Sequence, residues 1–191
     1  MKYRIDDGWL GPSRRLPSPN CDARPPHTPP DLLVIHNISL PPGEYGGPWV
    51  DALFTDTLDC SVHPFFEGLR GLRVSSHLFI DRKGSVTQYV PFHLRAWHAG
   101  ESRFAQRTRC NDFSIGIELE GCDDSRYEEI QYRRLAEVVS TIMDHYPRIS
   151  RDRIVGHCDI APNRKTDPGP AFDWQYLHAL LSPVHGDGPA G

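Results

Sequence analysis

The sequence predicts a single α/β (α+β) domain, and three observations carry that reading. Leu32-Leu33-Val34-Ile35 is a short apolar, partly β-branched run after turn residues, as a strand buried inside a sheet requires. Residues 75–80 and 85–90 flank Asp81-Arg82-Lys83-Gly84, where Gly84 can supply the positive φ of a tight hairpin turn. Across 128–146, Leu135, Val138, Val139, Ile142, Met143 and Tyr146 recur at three- and four-residue spacing, the pattern of an amphipathic helix. At 191 residues the chain is long enough for one core and short for two, so 1–191 reads as one domain.

The remaining elements follow in order. Residues 1–31 include Pro12, Pro17, Pro19, Pro25, Pro26, Pro29 and Pro30, which predicts an extended arm laid over the domain rather than a regular element. Residues 48–55 and 63–69 have the composition of short helices or turns covering the sheet. Ile115-Gly116-Ile117-Glu118-Leu119-Glu120 alternates, with aliphatics on one face and Gly116, Glu118 and Glu120 on the other. Glu128 and Glu129 suit the start of the long helix, and Pro147 ends it. Ile154-Val155-Gly156 reads as a strand that delivers His157, 172–181 as a last helix, and 183–191 as a disordered tail.

Composition bounds the function. With 38% hydrophobic and 24% charged residues the chain is of soluble type, and 18 prolines with 16 glycines imply many loops. A net charge of -4 gives no general electrostatic reason to bind nucleic acid or an anionic membrane, so a small-molecule partner and a monomer are expected. Met1 to Trp9 lacks the apolar core of a secretory signal and no run approaches a membrane span, which points to the cytoplasm. Cys21, Cys60, Cys110, Cys122 and Cys158 are odd in number, scattered and free of C-x-x-C spacing, which fits reduced thiols.

Gly156 to Pro170 crowds His157, Lys165 and Asp167 onto a segment too rich in Pro and Gly to be a helix. Pro168 biases Asp167 toward extended backbone, so Lys165 and Asp167, two apart, should share a side. His36 also ends a strand-like run, and two imidazoles with one carboxylate form the donor set of a catalytic zinc site. The spacing alone leaves the alternative open: His36 as a core histidine and Asp167 as a turn former. Glu118 suits a proton-transfer role and Lys165 the stabilisation of an oxyanion, against the alternative of solvated surface charges. Trp97 can wall a sugar or peptide or fill the core; Arg73 and Arg109 can grip a carboxylate; Asn37 adjoins His36. His77 fits a core or supporting role, and Cys158, next to His157, faces the wrong way for a ligand.

Together, LLVIHNISLPPGEYGGPWVDALF, RVSSHLFIDRKGSVTQYVPF, RAWHAG, RCNDFSIGIELEG and GHCDIAPNRKTDPGPAFDW closely resemble the zinc-dependent N-acetylmuramoyl-L-alanine amidases, in particular the cytoplasmic branch acting on 1,6-anhydro-muropeptides. The resemblance runs from about Gly8 to Trp174. It implies the fold of phage-type lysozyme amidases and peptidoglycan recognition proteins, a central mixed sheet flanked by helices. It also implies Zn2+ held by His36, His157 and Asp167, Glu118 and Lys165 as catalytic residues, and Asn37, Arg73, Trp97 and Arg109 near the muropeptide. The phage-type branch places a cysteine ligand near the position of Asp167 and a catalytic tyrosine where this chain has Ser76, so Glu118 is expected to take that task. The implied reaction is hydrolysis of the amide between anhydro-N-acetylmuramic acid and L-alanine in peptidoglycan recycling, with an indirect restraint on β-lactamase induction. A broader peptidoglycan amidase and a non-catalytic muropeptide-binding module are the competing readings.

Overall fold

Six strands form one sheet in the computed structural model, which describes residues 2–181. They are β1 (Arg14–Arg15), β2 (Leu32–Ile38), β3 (Leu78–Ile80), β4 (Val86–Gln88), β5 (Ser114–Glu120) and β6 (Ile154–Gly156). Their spatial order is β6-β2-β5-β3-β4-β1. The first four strands of that row run parallel, β4 turns back antiparallel to β3, and β1 lies parallel to β4. The sheet is therefore mixed, as expected. Its centre is the β2–β5 pair, whose register sets Ile35 beside Ile117 and His36 beside Glu118.

Alternation along these strands decides what each face does. Leu33 and Ile35 of β2 with Ile115, Ile117 and Leu119 of β5 pack against the apolar stripe of α3 (Glu129–His145), including Leu135, Val138, Val139 and Ile142. The opposite face is covered near one end by Phe113 and Ile160, which meet Leu32 and Val34. Two short helices, α1 (Trp49–Phe54) and α2 (Pro64–Glu67), form a third cluster with Phe79 and Tyr89. Helix α4 (His157–Ile160) follows β6 directly, contrary to the expectation of no helix in this segment, because its one turn ends before the first proline, Pro162; α5 (Trp174–Leu180) packs beside α3.

The predicted hairpin is present but shorter. Gly84 has φ +76°, and the Asp81 carboxylate accepts the backbone N–H groups of Lys83 and Ser85 at 2.9 and 2.7 Å. His77 still bonds to Gly116 and Tyr89 on its two sides through its main chain, and it is at Ser75, whose N–H turns to the Trp97 carbonyl, that the chain leaves the hairpin. The N-terminal arm departs from expectation. It contains an antiparallel pair, Arg4–Asp6 with Trp9–Gly11, then β1 on the sheet edge, then Cys21–Ala23 paired with Leu94–Ala96. Its prolines fall between these segments, where no ladder N–H is needed. Buried Gln88 receives the Leu10 N–H and donates to Gly8, and Arg24 donates to the carbonyls of Phe92, Asn111, Asp112 and Ser114. The expected tail 183–191 lies outside the described residues, among which all five cysteines are unpaired and no helix is long and apolar enough to cross a membrane.

Gln131 ties α3 to the sheet. Fully buried, it accepts the Glu128 N–H at 3.0 Å and donates to the carbonyls of Ile80 and Glu120 at 3.3 and 3.0 Å. Gln131→Leu keeps the volume and removes these partners, so chemical denaturation should show a loss of about 1–3 kcal/mol. Unchanged stability would mean the freed groups find other partners.

Candidate metal centre

Each polar residue of the site is delivered by a strand end or the turn that follows it. His36 is the fifth residue of β2, and its buried side chain lies on the face opposite α3. Gly156 closes β6, and the chain turns at once into α4, with the Gly156 N–H donated to the Asp159 carboxylate at 2.7 Å. That contact gives Asp159 a structural task and sets His157 at the first helical position. The following Pro- and Gly-rich loop returns alongside, where the Cys158 N–H donates to the Asp167 carbonyl at 3.0 Å. Sites of this kind open at the carboxyl ends of parallel strands.

The outcome is a compact donor triangle. His36 Nδ1, His157 Nδ1 and Asp167 Oδ2 lie 3.0 Å apart on all three sides. A tetrahedral zinc with N and O ligands at about 2.0–2.1 Å sets its ligand atoms about 3.3 Å apart, so a slight widening accommodates one. The hydrogen bonding agrees. His157 Nε2 faces the Ala99 carbonyl at 3.1 Å, which can only accept, so the neutral ring carries its proton there and leaves Nδ1 bare. A bare His157 nitrogen beside a carboxylate oxygen and a second imidazole suits a cation.

Electrostatics reinforce the arrangement. Burial pushes the His36 pKa down to about 4, against the opposing effect of Asp167. Burial would raise the Asp167 carboxyl, but the adjoining His157 and His36 side chains outweigh it and hold it well below the usual carboxylate range. Glu118 is displaced the other way: burial, helped by the Asp167 charge and opposed by Lys165, raises its pKa well above that range. Its Oε2 has no protein hydrogen-bond partner among the described residues. Glu120 on the same strand face accepts the backbone N–H groups of Gly46 and Arg82, so it is a structural carboxylate. Structure thus separates two residues that alternation treats alike.

A cleft of about 660 Å³ opens over the triangle. His36, Glu118, His157, Lys165 and Asp167 line it together with Asn37 and Trp97. Asn37 commits its amide N–H groups to the Asp123 carboxylate and the Pro168 carbonyl. Trp97 is half-buried, with its indole N–H donated to Asp22. Arg73 and Arg109 are not among the lining residues. They pair with Asp56 and Asp112, and their side chains are 65% and 71% exposed, which places them outside the cleft. Ser76 is buried and also off the cleft, and His77 is a core residue whose Nδ1 accepts the Gly116 N–H.

Several lining residues escaped the sequence reading, among them Leu40, Phe65, Leu69 and Leu72 on one wall and Asp123 and Arg164 on the other. Phe65 and Leu72 are apolar yet exposed, but a one-turn helix and the turn after it are too short to give a periodic signal that would mark them in advance.

The sequence profile of the N-acetylmuramoyl-L-alanine amidases matches residues 26–170. The chain belongs to this family. A 1,6-anhydro-N-acetylmuramyl-L-alanine amidase AmpD of Citrobacter freundii is 58% identical over 179 residues, which covers 94% of this chain and 95% of that one. A crystal structure of a selenomethionine derivative of AmpD superposes with a TM-score of 0.91 at 57% identity, covering 93% of this chain and 99% of the other. A more distant amidase, AmiD of Escherichia coli, was solved with anhydro-N-acetylmuramic acid-L-Ala-D-γ-Glu-L-Lys; it is 30% identical with a TM-score of 0.58, over 93% of this chain and 65% of that one. Amidase-family membership and the mixed-sheet fold agree with the reading from sequence.

The elevated Glu118 pKa has a stability consequence in metal-free protein. Folding binds the Glu118 proton more tightly than the unfolded chain does, so its contribution is complete below the unfolded pKa of about 4.3 and is lost as pH rises through the folded value. Glu118→Gln should match the wild-type Tm near pH 4 and exceed it near pH 8. A variant less stable than wild type near pH 8 would show that the ionised carboxylate is stabilised in the fold.

Proposed function

We propose that this chain is a zinc-dependent N-acetylmuramoyl-L-alanine amidase that hydrolyses the amide joining 1,6-anhydro-N-acetylmuramic acid to L-alanine in muropeptides. The observation that carries the reading is the acceptor triangle of His36, His157 and Asp167 facing a cleft that also holds Glu118 and Lys165. The relatives supply the substrate class: AmpD proteins carry the anhydro-muramyl amidase name, and AmiD was solved with an anhydro-muramyl peptide.

His36, His157 and Asp167 would hold the zinc. Zinc in such a site supplies an acidified water near neutral pH and polarises a carbonyl oxygen. Glu118, with a raised pKa and an oxygen free of protein partners, accepts a proton from the attacking water and returns it to the departing L-alanine nitrogen. Lys165 gives a fixed positive charge for the oxygen that becomes negative in the tetrahedral species. The apolar wall of Phe65, Leu69 and Leu72 with Trp97 suits the faces of a sugar, while Asn37 offers its side-chain oxygen to the substrate's N–H groups. Arg73 and Arg109, exposed beyond the cleft, are assigned to carboxylates of the longer substrate. Five unpaired cysteines support a reducing, cytoplasmic compartment. Clearing anhydro-muropeptides there would also restrain β-lactamase induction.

Incubation of zinc-loaded protein with an anhydro-muramyl tripeptide should release free peptide, and chelation should stop it. Peptide binding without cleavage despite confirmed zinc would instead favour a recognition module, and equal cleavage of intact sacculi a broader wall amidase. The assigned roles also separate by mutation. Asp167→Ala should abolish zinc retention, whereas Glu118→Ala should keep zinc and lower turnover roughly 10²–10⁴-fold. Equal zinc loss in both would contradict this division.

A further inference from the structure

We propose that His98 and Ser114 act as a positioning relay that accepts the Nε2 proton of His36 and so leaves its Nδ1 free to serve as a metal ligand. The inference rests on the zinc reading above and adds two residues that have no role in it. His98 Nδ1 lies 2.9 Å from His36 Nε2, and His98 Nε2 lies 3.0 Å from Ser114 Oγ. All three residues are buried, and the two rings meet edge to face at 5.0 Å.

The fold holds this contact rigidly. A Cβ added at Gly116 would sit 2.6 Å from His98 Cγ and Nδ1, so a glycine on the site-facing side of β5 is what lets the ring reach His36. From the other side, Asn111 Oδ1 accepts the backbone N–H groups of His98 and Ala99 at 3.1 and 2.8 Å. The same short loop therefore positions both imidazole ligands, since Ala99 supplies the carbonyl that accepts from His157 Nε2.

Two proton arrangements satisfy the chain His36–His98–Ser114. In one, His36 Nε2–H donates to His98 Nδ1, His98 Nε2–H donates to Ser114 Oγ, and His36 Nδ1 is bare. In the other, Ser114 Oγ–H donates to His98 Nε2, His98 Nδ1–H donates to His36 Nε2, and the His36 proton moves to Nδ1 against Asp167. The net proton count is identical, and only the first leaves a lone pair at Nδ1. Because the Ser114 hydroxyl both donates and accepts, it permits either arrangement, and a cation at the triangle selects the first.

The test is zinc affinity, measured by chelator competition on folded, metal-stripped protein with thermal denaturation as a folding control. His98→Phe keeps a ring of similar size without an acceptor and should weaken zinc binding about 10–100-fold. His98→Asn, whose side-chain oxygen can occupy the place of Nδ1, should restore affinity to within a few-fold of wild type. Ser114→Ala, which strands the His98 Nε2–H, should bind zinc more weakly than wild type. Nitrogen NMR of the zinc-loaded wild type should show His36 protonated at Nε2, a readout that needs no variant to fold. Equal affinity of His98→Phe and wild type, equal loss in His98→Phe and His98→Asn, or a proton on His36 Nδ1 would each overturn the relay. Absence of zinc binding by the wild type would instead overturn the metal reading itself.

Discussion

The structure is organised around the convergence of three acceptors at one point. His36 Nδ1, His157 Nδ1 and Asp167 Oδ2 cannot satisfy one another when the rings are neutral and protonated at Nε2, and the proposed cation would satisfy all three. Much of the surrounding fold can be understood as the means of holding that arrangement. Parallel pairing of β2 with both β5 and β6 brings His36 to the end of the sheet where β6 hands over to His157. The main-chain bond from Cys158 to Asp167 then closes the loop that brings the carboxylate back.

Strand β5 does the finer sorting. Ser114, Gly116, Glu118 and Glu120 share one face but meet different surroundings: a histidine nitrogen, a histidine ring, the cleft, and two backbone N–H groups. The difference between Glu118 and Glu120 shows how environment makes a proton carrier. Both are buried, yet Glu120 has donors for its charge, while Glu118 has an oxygen with none and a neighbouring Asp167 charge.

The frame of this site was legible in sequence because it obeys periodicity. The apolar run before His36, the alternation through Glu118 and the stripe of α3 each follow from one face being buried. Family resemblance then selected the ligands, which spacing alone left open. What could not be read depends on partners distant along the chain: His98 against His36, Asn37 against Asp123, and Arg73 drawn to Asp56. The strands of the N-terminal arm were hidden for a related reason, since prolines dominate its composition while its short ladders are fixed by Gln88, Arg24 and the sheet edge.

The proposed ligands are imidazole nitrogen and carboxylate oxygen, although Cys158 adjoins one of them and Cys122 lines the cleft. X-ray absorption at the zinc edge of the loaded protein tests this most directly. The account predicts a shell of nitrogen and oxygen at about 2.0–2.1 Å with imidazole outer-shell scattering and no sulfur. A sulfur shell at about 2.3 Å, or a metal with no imidazole scattering, would contradict it.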